Sequence, residues 1–189
     1  MLTNTAPTAQ MVNGINVEDV MGLIGAVQND PQAGVTRWSV SSAWLGGTRN
    51  RATIRSFEMG GEEVMRPFTV DVDEPLQLGG TNTQPNPQEY LLAALNACMI
   101  VGYAALCSLE GITLDKLEIV TSGAIDLRGF LGLDRTVNPG YDSLTYTVTI
   151  KGDGTPEQFQ KIHRTVMATS PNFANISRAV ALNPTLVVG

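Results

Sequence analysis

The chain is short of the residues that most often announce a site. It has 189 residues, with a single histidine and two cysteines. A zinc centre of the His/Cys kind needs several such ligands at short spacings, and no CxxC or HExxH occurs, so no metal or bound cofactor is expected. Cys98 and Cys107 sit in one apolar segment and make no disulfide framework, which points to a reduced, cytoplasmic setting. Positive charge is scarce too. Twelve Lys and Arg face eighteen Asp and Glu, a net charge of −6. Nucleic-acid and anionic-membrane surfaces need clustered Lys and Arg, so neither partner is expected. No basic residue precedes the first apolar run, which argues against a signal peptide. The longest apolar run is broken by Asn96 and lies mid-chain, as a core segment does, rather than a membrane span. No internal repeat or low-complexity segment occurs.

What the chain does have is one long apolar helix, predicted from Asn86 to Glu110. Asn86 can cap its first turn. Pro87 suits the first helical position, where an N–H is not needed. Glu89 completes a capping box and suits the positive end of the dipole. Beyond Tyr90 almost every residue is apolar or small on all faces, which predicts a buried helix. Gly111 supplies the stop.

Around this helix the pattern predicts an α+β domain. With 43% hydrophobic residues the chain can build one sizeable core. Residues 1–35 read as an appendage and residues 36–189 as the main domain. Residues 1–13 are polar and small, and predict a mobile arm. Asn16 caps a short helix whose stripe is Val20, Leu23, Ile24 and Val27. Three antiparallel strands follow: Thr36 to Leu45, Arg51 to Met59 and Val64 to Val72. Gly46-Gly47 and Gly60-Gly61 are their turns, and Pro67 marks an edge or bulge. Asp73-Glu74-Pro75 opens a long irregular segment, a length that is usually functional. After the helix come strands over Lys116 to Leu127 and Tyr141 to Lys151, with an apolar loop at Phe130, Leu131 and Leu133 between them. A helix capped at Thr155 follows, with Phe159, Ile162, Val166 and Met167 on its core face. Ser170-Pro171 starts another helix, and Leu182 to Val188 reads as a last strand.

Several of these residues together resemble the OsmC/Ohr family, the osmotically inducible and organic-hydroperoxide-resistance proteins. They are Asp73-Glu74-Pro75 with Leu78-Gly79-Gly80, and Asn86-Pro87-Gln88-Glu89 with Leu91-Leu92-Ala93-Ala94 and Cys98. Gly111-Ile112, Leu114 and Ser170-Pro171 follow at family spacing. The resemblance covers roughly Thr36 to Val188. It implies an OsmC-like fold, with antiparallel sheets around a central buried helix in an intertwined homodimer. It implies a peroxidatic cysteine at Cys98, an arginine from the first strands and a carboxylate near the helix start. The implied activity is reduction of hydrophobic organic hydroperoxides by an external lipoyl or low-molecular-weight thiol. The sequence departs from the organic-hydroperoxide branch at Gln88, where a glutamate is expected, and at Ser170, where the resolving cysteine is expected. A non-enzymatic dimeric small-molecule-binding protein is therefore the alternative.

Read alone, Cys98 is a small hydrophobe on a buried helix; the resemblance makes it the reacting thiol. A peroxidatic cysteine must be a thiolate. Cys98 lies about 18 Å along the axis from Asn86, beyond the dipole's first-turn range, so a cation must come from elsewhere. Arg49 is the first candidate, by its place after the glycine turn, and Arg51 the second; an arginine stays charged and can hold a carboxylate and a thiolate together. Glu89 is the candidate carboxylate and also the capping-box residue. It sits nine residues from Cys98, half a turn round and about 13.5 Å away. Cys107 stands at the same separation, too far for a disulfide with Cys98, and reads as a core thiol. Ser170 reads as a helix cap, and His163 as a partly buried structural residue.

Overall fold

The computed structural model describes residues 10–189. Most of the arm expected over residues 1–13 lies outside the described residues. The chain forms two compact units, one ending at Leu91 and the other spanning Leu92–Gly189.

The first unit opens with a minimal hairpin, β1 (Met11–Val12) and β2 (Ile15–Asn16), turned at Asn13 and Gly14. Asn16 caps α1 (Val17–Asn29) by accepting the Glu18 amide at 3.1 Å. The expected stripe of α1 forms, but Leu23 and Ile24 stay exposed. The first predicted strand is interrupted at Ser39 and Val40, giving β3 (Thr36–Trp38) and β4 (Ser41–Trp44). Both pair antiparallel with one side of β5 (Asn50–Met59), and β6 (Glu62–Val72) pairs with the other. The β5–β6 turn is Gly60-Gly61, with φ of 59° and 86°, backbone that glycine reaches at no steric cost. Pro67 does both things its missing N–H allows. It lies on an edge strand, and the register slips where Arg66 and Pro67 stand opposite Arg55 alone.

The irregular segment after β6 is organised by one carboxylate. Asp73 is fully buried and accepts the hydroxyls of Thr48 at 2.7 Å and Thr81 at 2.6 Å, with further bonds from the Thr81 and Thr83 amides. Gly80 lies so close to Glu74 that a Cβ there would come within 1.7 Å of its carbonyl oxygen, so no other residue fits. The segment leads into α2 (Pro87–Leu109), whose capping box forms as expected: the Glu89 amide donates to Asn86 Oδ1 and the Asn86 amide to Glu89 Oε2. The hydroxyl of Tyr90 donates to the Asp71 carbonyl at 2.6 Å.

In the second unit α2 supplies the centre of the core. Leu95, Met99, Tyr103 and Cys107, four residues apart, form a buried ladder on one face. Against it pack Ile112, Ile119 of β7 (Leu114–Gly123), and Ile162 and Val166 of α4 (Pro156–Thr169). β7 pairs antiparallel with β8 (Leu144–Gly152), whose inward residues Tyr146, Val148 and Ile150 complete the layer. Gly111, with φ of 71°, ends α2, and the Ile112 amide returns to the Cys107 carbonyl. By length and apolar composition α2 could cross a membrane, with a mean hydropathy of 1.9 over 18 residues; here it carries the core ladder.

The structure departs from three sequence expectations. α2 is buried along one face, not all round: Val101 is 66% exposed, on the side away from the residues of β7, β8, α4 and α5 that pack on the core. The strand expected to run to Leu127 ends at Gly123, since Asp126 caps a one-turn helix, α3 (Leu127–Phe130), and grips Arg128. Leu182 to Val188 is not a strand. It is rich in strand formers at its end, but nothing among the described residues pairs with it, and a strand exists only through its partner.

Candidate active site

Cys98 lies three turns into α2 and is half-buried. Its neighbour in the second unit is Ser170, whose hydroxyl donates to the sulfur at 3.3 Å. Ser170 is itself buried, at 6% exposure. It stands where α4 ends and α5 (Pro171–Ser177) begins, and its oxygen accepts the Phe173 amide at 3.4 Å as the cap of α5. Asn172 ties α5 to α2 by donating to the Ala94 carbonyl at 2.8 Å, one turn before Cys98. The polar Asn96 anchors α2 to β7: its Oδ1 accepts the Thr121 hydroxyl, and its Nδ2 donates to the Ile119 carbonyl. So the thiol is held by fixed elements on two sides.

Cys107 is a different kind of thiol. It is fully buried in the ladder, and burial, helped by the charge of Glu110, pushes it up to about 11. The core reading therefore holds. His163 also behaves as expected: it is half-buried and shares a hydrogen bond with the hydroxyl of Tyr103. Desolvation pushes that phenol up to about 12, so it stays protonated.

Arg49, Arg51 and Glu89 are residues of the first unit and Cys98 of the second. The two arginines differ. Arg51 grips Asp71 with bonds of 2.5 and 2.9 Å, which raise the guanidinium and lower the carboxylate from their ordinary values. Arg49 has no ion pair among the described residues, only a 3.5 Å contact from Nη2 to the Leu45 carbonyl. It borders a small hollow of about 140 Å³ together with Arg51, Asp71 and Gln84. Glu89 uses Oε2 for the cap. A larger groove, about 490 Å³, is lined by Tyr103, Tyr146, Phe159 and His163 among others and does not include Cys98. Phe130, Leu131 and Leu133 are exposed and do not line it.

Two features went unread in the sequence: the pairing of Ser170 with Cys98, and the gathering of Thr48, Thr81 and Thr83 on Asp73. The signal for the first was the place of Ser170 at the expected resolving position. For the second, the threonines themselves carried none.

An α+β fold with antiparallel sheets and a cysteine on its central helix defines the class. The family model for OsmC-like protein matches residues 80–185, more than half of the chain. The chain belongs to the OsmC-like family. It is similar in fold to an OsmC-like protein from Mycoplasma pneumoniae, with a TM-score of 0.59 and 14% identity over 76% of this chain and 89% of that one. A Psychrobacter arcticus 273-4 protein, described as an osmotic stress induced and detoxification response protein, gives a TM-score of 0.54 and 12% identity over 71% and 84% of the two chains. An OsmC-like hydroperoxide resistance protein from Jannaschia sp. CCS1 gives 0.44 and 17% over 83% and 95%. Comparison with the curated proteins gives no match.

Proposed function

We propose that the protein is a cytoplasmic, homodimeric thiol peroxidase that reduces hydrophobic organic hydroperoxides through Cys98 alone. The observation that carries this reading is the half-buried Cys98 sulfur with a hydroxyl donor at 3.3 Å, on the family's central helix. The Cys98 thiolate attacks the outer oxygen of the hydroperoxide. The O–O bond breaks, the alkoxide leaves and takes a proton as an alcohol, and the cysteine becomes a sulfenic acid. Arg49 is the cation assigned to the thiolate, since Arg51 is already neutralised by Asp71. Glu89 is its assigned carboxylate: Oε1 carries no partner among the described residues while Oε2 serves the cap. Ser170 cannot form a disulfide, and Cys107 lies about 13.5 Å along the helix. An external thiol therefore attacks the sulfenate and releases water; a second thiol, or the other arm of a lipoyl dithiol, then frees Cys98.

The same serine supports the second reading, a dimeric small-molecule-binding protein without a redox cycle. The deciding experiment is consumption of cumene hydroperoxide with dihydrolipoamide or glutathione as reductant, in wild type and Cys98→Ser. Turnover that vanishes in Cys98→Ser supports the peroxidase. No turnover with either reductant leaves the binding protein.

A further inference from the structure

We infer that Ser170 is a positioning residue for Cys98, in which one hydroxyl caps α5 with its lone pair and holds the sulfur as an acceptor with its proton. This rests on the reading of Cys98 as the reacting thiol and adds to it.

A serine hydroxyl has one proton and two lone pairs. Both uses are occupied here. The Phe173 amide donates to the oxygen at 3.4 Å, and the proton goes to Cys98 Sγ at 3.3 Å. The incoming amide bond polarises the hydroxyl and strengthens its donation, as in any hydrogen-bond chain. The group is buried, so water competes poorly for the proton. A thiolate accepts more strongly than a thiol, because a bond to a charged partner is about twice as strong. Ser170 thus fixes the Cys98 sulfur as the acceptor of a buried hydroxyl.

Among the described residues no charged group on the neighbouring elements of this unit contacts Cys98. α2 has no charged residue after Glu89 before its end, and α5 has none. On α4, Arg164 is the charged residue nearest in sequence to Ser170, six positions back, and His163 is engaged with Tyr103. On β7, Lys116 and Glu118 pair with each other at 3.0 Å, exposed to solvent. The local donor to the sulfur is the hydroxyl. Ser170 therefore does more than occupy the place of a missing resolving thiol.

The test separates donation from capping. Glycine caps a helix almost as well as serine and alanine does not, while neither donates. Threonine does both. The rate of Cys98 alkylation by iodoacetamide is followed by mass spectrometry at one neutral pH in wild type, Ser170→Gly, Ser170→Ala and Ser170→Thr. The expected result is that both Gly and Ala slow alkylation of Cys98 severalfold, about the worth of one lost hydrogen bond, and that Thr restores the wild-type rate. A Gly variant that reacts at the wild-type rate, with only Ala slowed, overturns the inference and leaves Ser170 as a cap. Hydroperoxide turnover is measured on the same samples. If wild type shows no turnover and the Gly variant is slowed, the peroxidase reading fails and the positioning role stands. If turnover is present and the Gly variant is not slowed, the reverse holds.

Discussion

Arg51 grips Asp71 across neighbouring strands, through Nε at 2.5 Å and Nη2 at 2.9 Å. Arg49, two residues earlier, grips no carboxylate among the described residues. A guanidinium paired at contact distance has its field largely cancelled, whereas an uncommitted one retains its full charge. Sequence spacing put Arg49 ahead of Arg51, and the proposal keeps that order because Arg51 is committed to Asp71.

Arg49→Ala is therefore expected to lower kcat/KM for cumene hydroperoxide on the order of 100-fold, as loss of a charge-stabilising donor does elsewhere. Arg51→Ala should stay close to wild type, because its pair with Asp71 is a solvent-exposed one. Steady-state kinetics on the two variants check this. The opposite ranking would transfer the role to Arg51 and require the Asp71 pair to open during turnover.

Asp73 carries a second prediction. Hydroxyl bonds from Thr81 and then Thr48 hold its carboxyl well below the usual carboxylate range, against the opposing effect of burial. The folded-state value lies below the unfolded one of about 3.9. The resulting stabilisation is complete above that pH and is lost as pH falls through about 4 toward the folded value. Wild type should thus lose urea resistance steeply between about pH 5 and pH 2. Asp73→Asn should be less stable at neutral pH and show a shallower acid decline. Equal acid slopes in the two proteins would assign the acid sensitivity to other lowered carboxylates, such as Asp126 and Asp134.

The parts of the fold that were legible are those decided within a few residues. The Asn86–Glu89 and Thr155–Gln158 capping boxes, the Gly60-Gly61 turn and the Pro67 bulge each follow from one residue's own backbone needs. Leu182 to Val188 failed because strand-forming residues such as Leu186, Val187 and Val188 say nothing about where a partner edge lies. Ser170 and Cys98 are 72 residues apart, and no periodicity joins them; only the family resemblance placed both at reactive positions. Asn96 read as an interruption of an apolar run. Its bonds to Thr121 and Ile119 show that it is the run's anchor to β7.

The open side of α2 makes the third prediction. Val101 lies about 200° of helical rotation from both Met99 and Tyr103, opposite the ladder they form, and stays 66% exposed in the single chain. Leaving such a face in water is costly, and a second copy covers it in the proposed homodimer. Sedimentation velocity at micromolar concentration should give twice the chain mass. Val101→Asp should reduce that mass to one chain or send the protein into aggregates, because the carboxylate would be buried without a partner. A folded wild-type monomer under these conditions would remove the dimer from the proposal.

The last prediction concerns what happens when the serine is made a thiol. A disulfide needs sulfurs about 2.05 Å apart and Cβ atoms within roughly 4.5 Å. Ser170 Oγ already lies 3.3 Å from Cys98 Sγ, so a thiol in its place is within a small rotation of bonding. In wild type, one equivalent of cumene hydroperoxide should leave a sulfenic acid on Cys98 that dimedone traps, and excess peroxide without thiol should carry it on to the sulfinic acid and end activity. In Ser170→Cys the new thiolate should attack the sulfur of the sulfenic acid and expel hydroxide, which takes a proton to become water, giving a disulfide between Cys98 and the introduced thiol. Dimedone labelling should then fall, and activity should survive excess peroxide once a dithiol is added. Cys107 offers no such route: it is buried, pushed up to about 11, and nine residues round the helix. Peptide mapping by mass spectrometry reads all three species. A Cys98–Cys107 bridge in the folded wild type would mean that α2 breaks between them during turnover, and the single-cysteine scheme would fall with the helix.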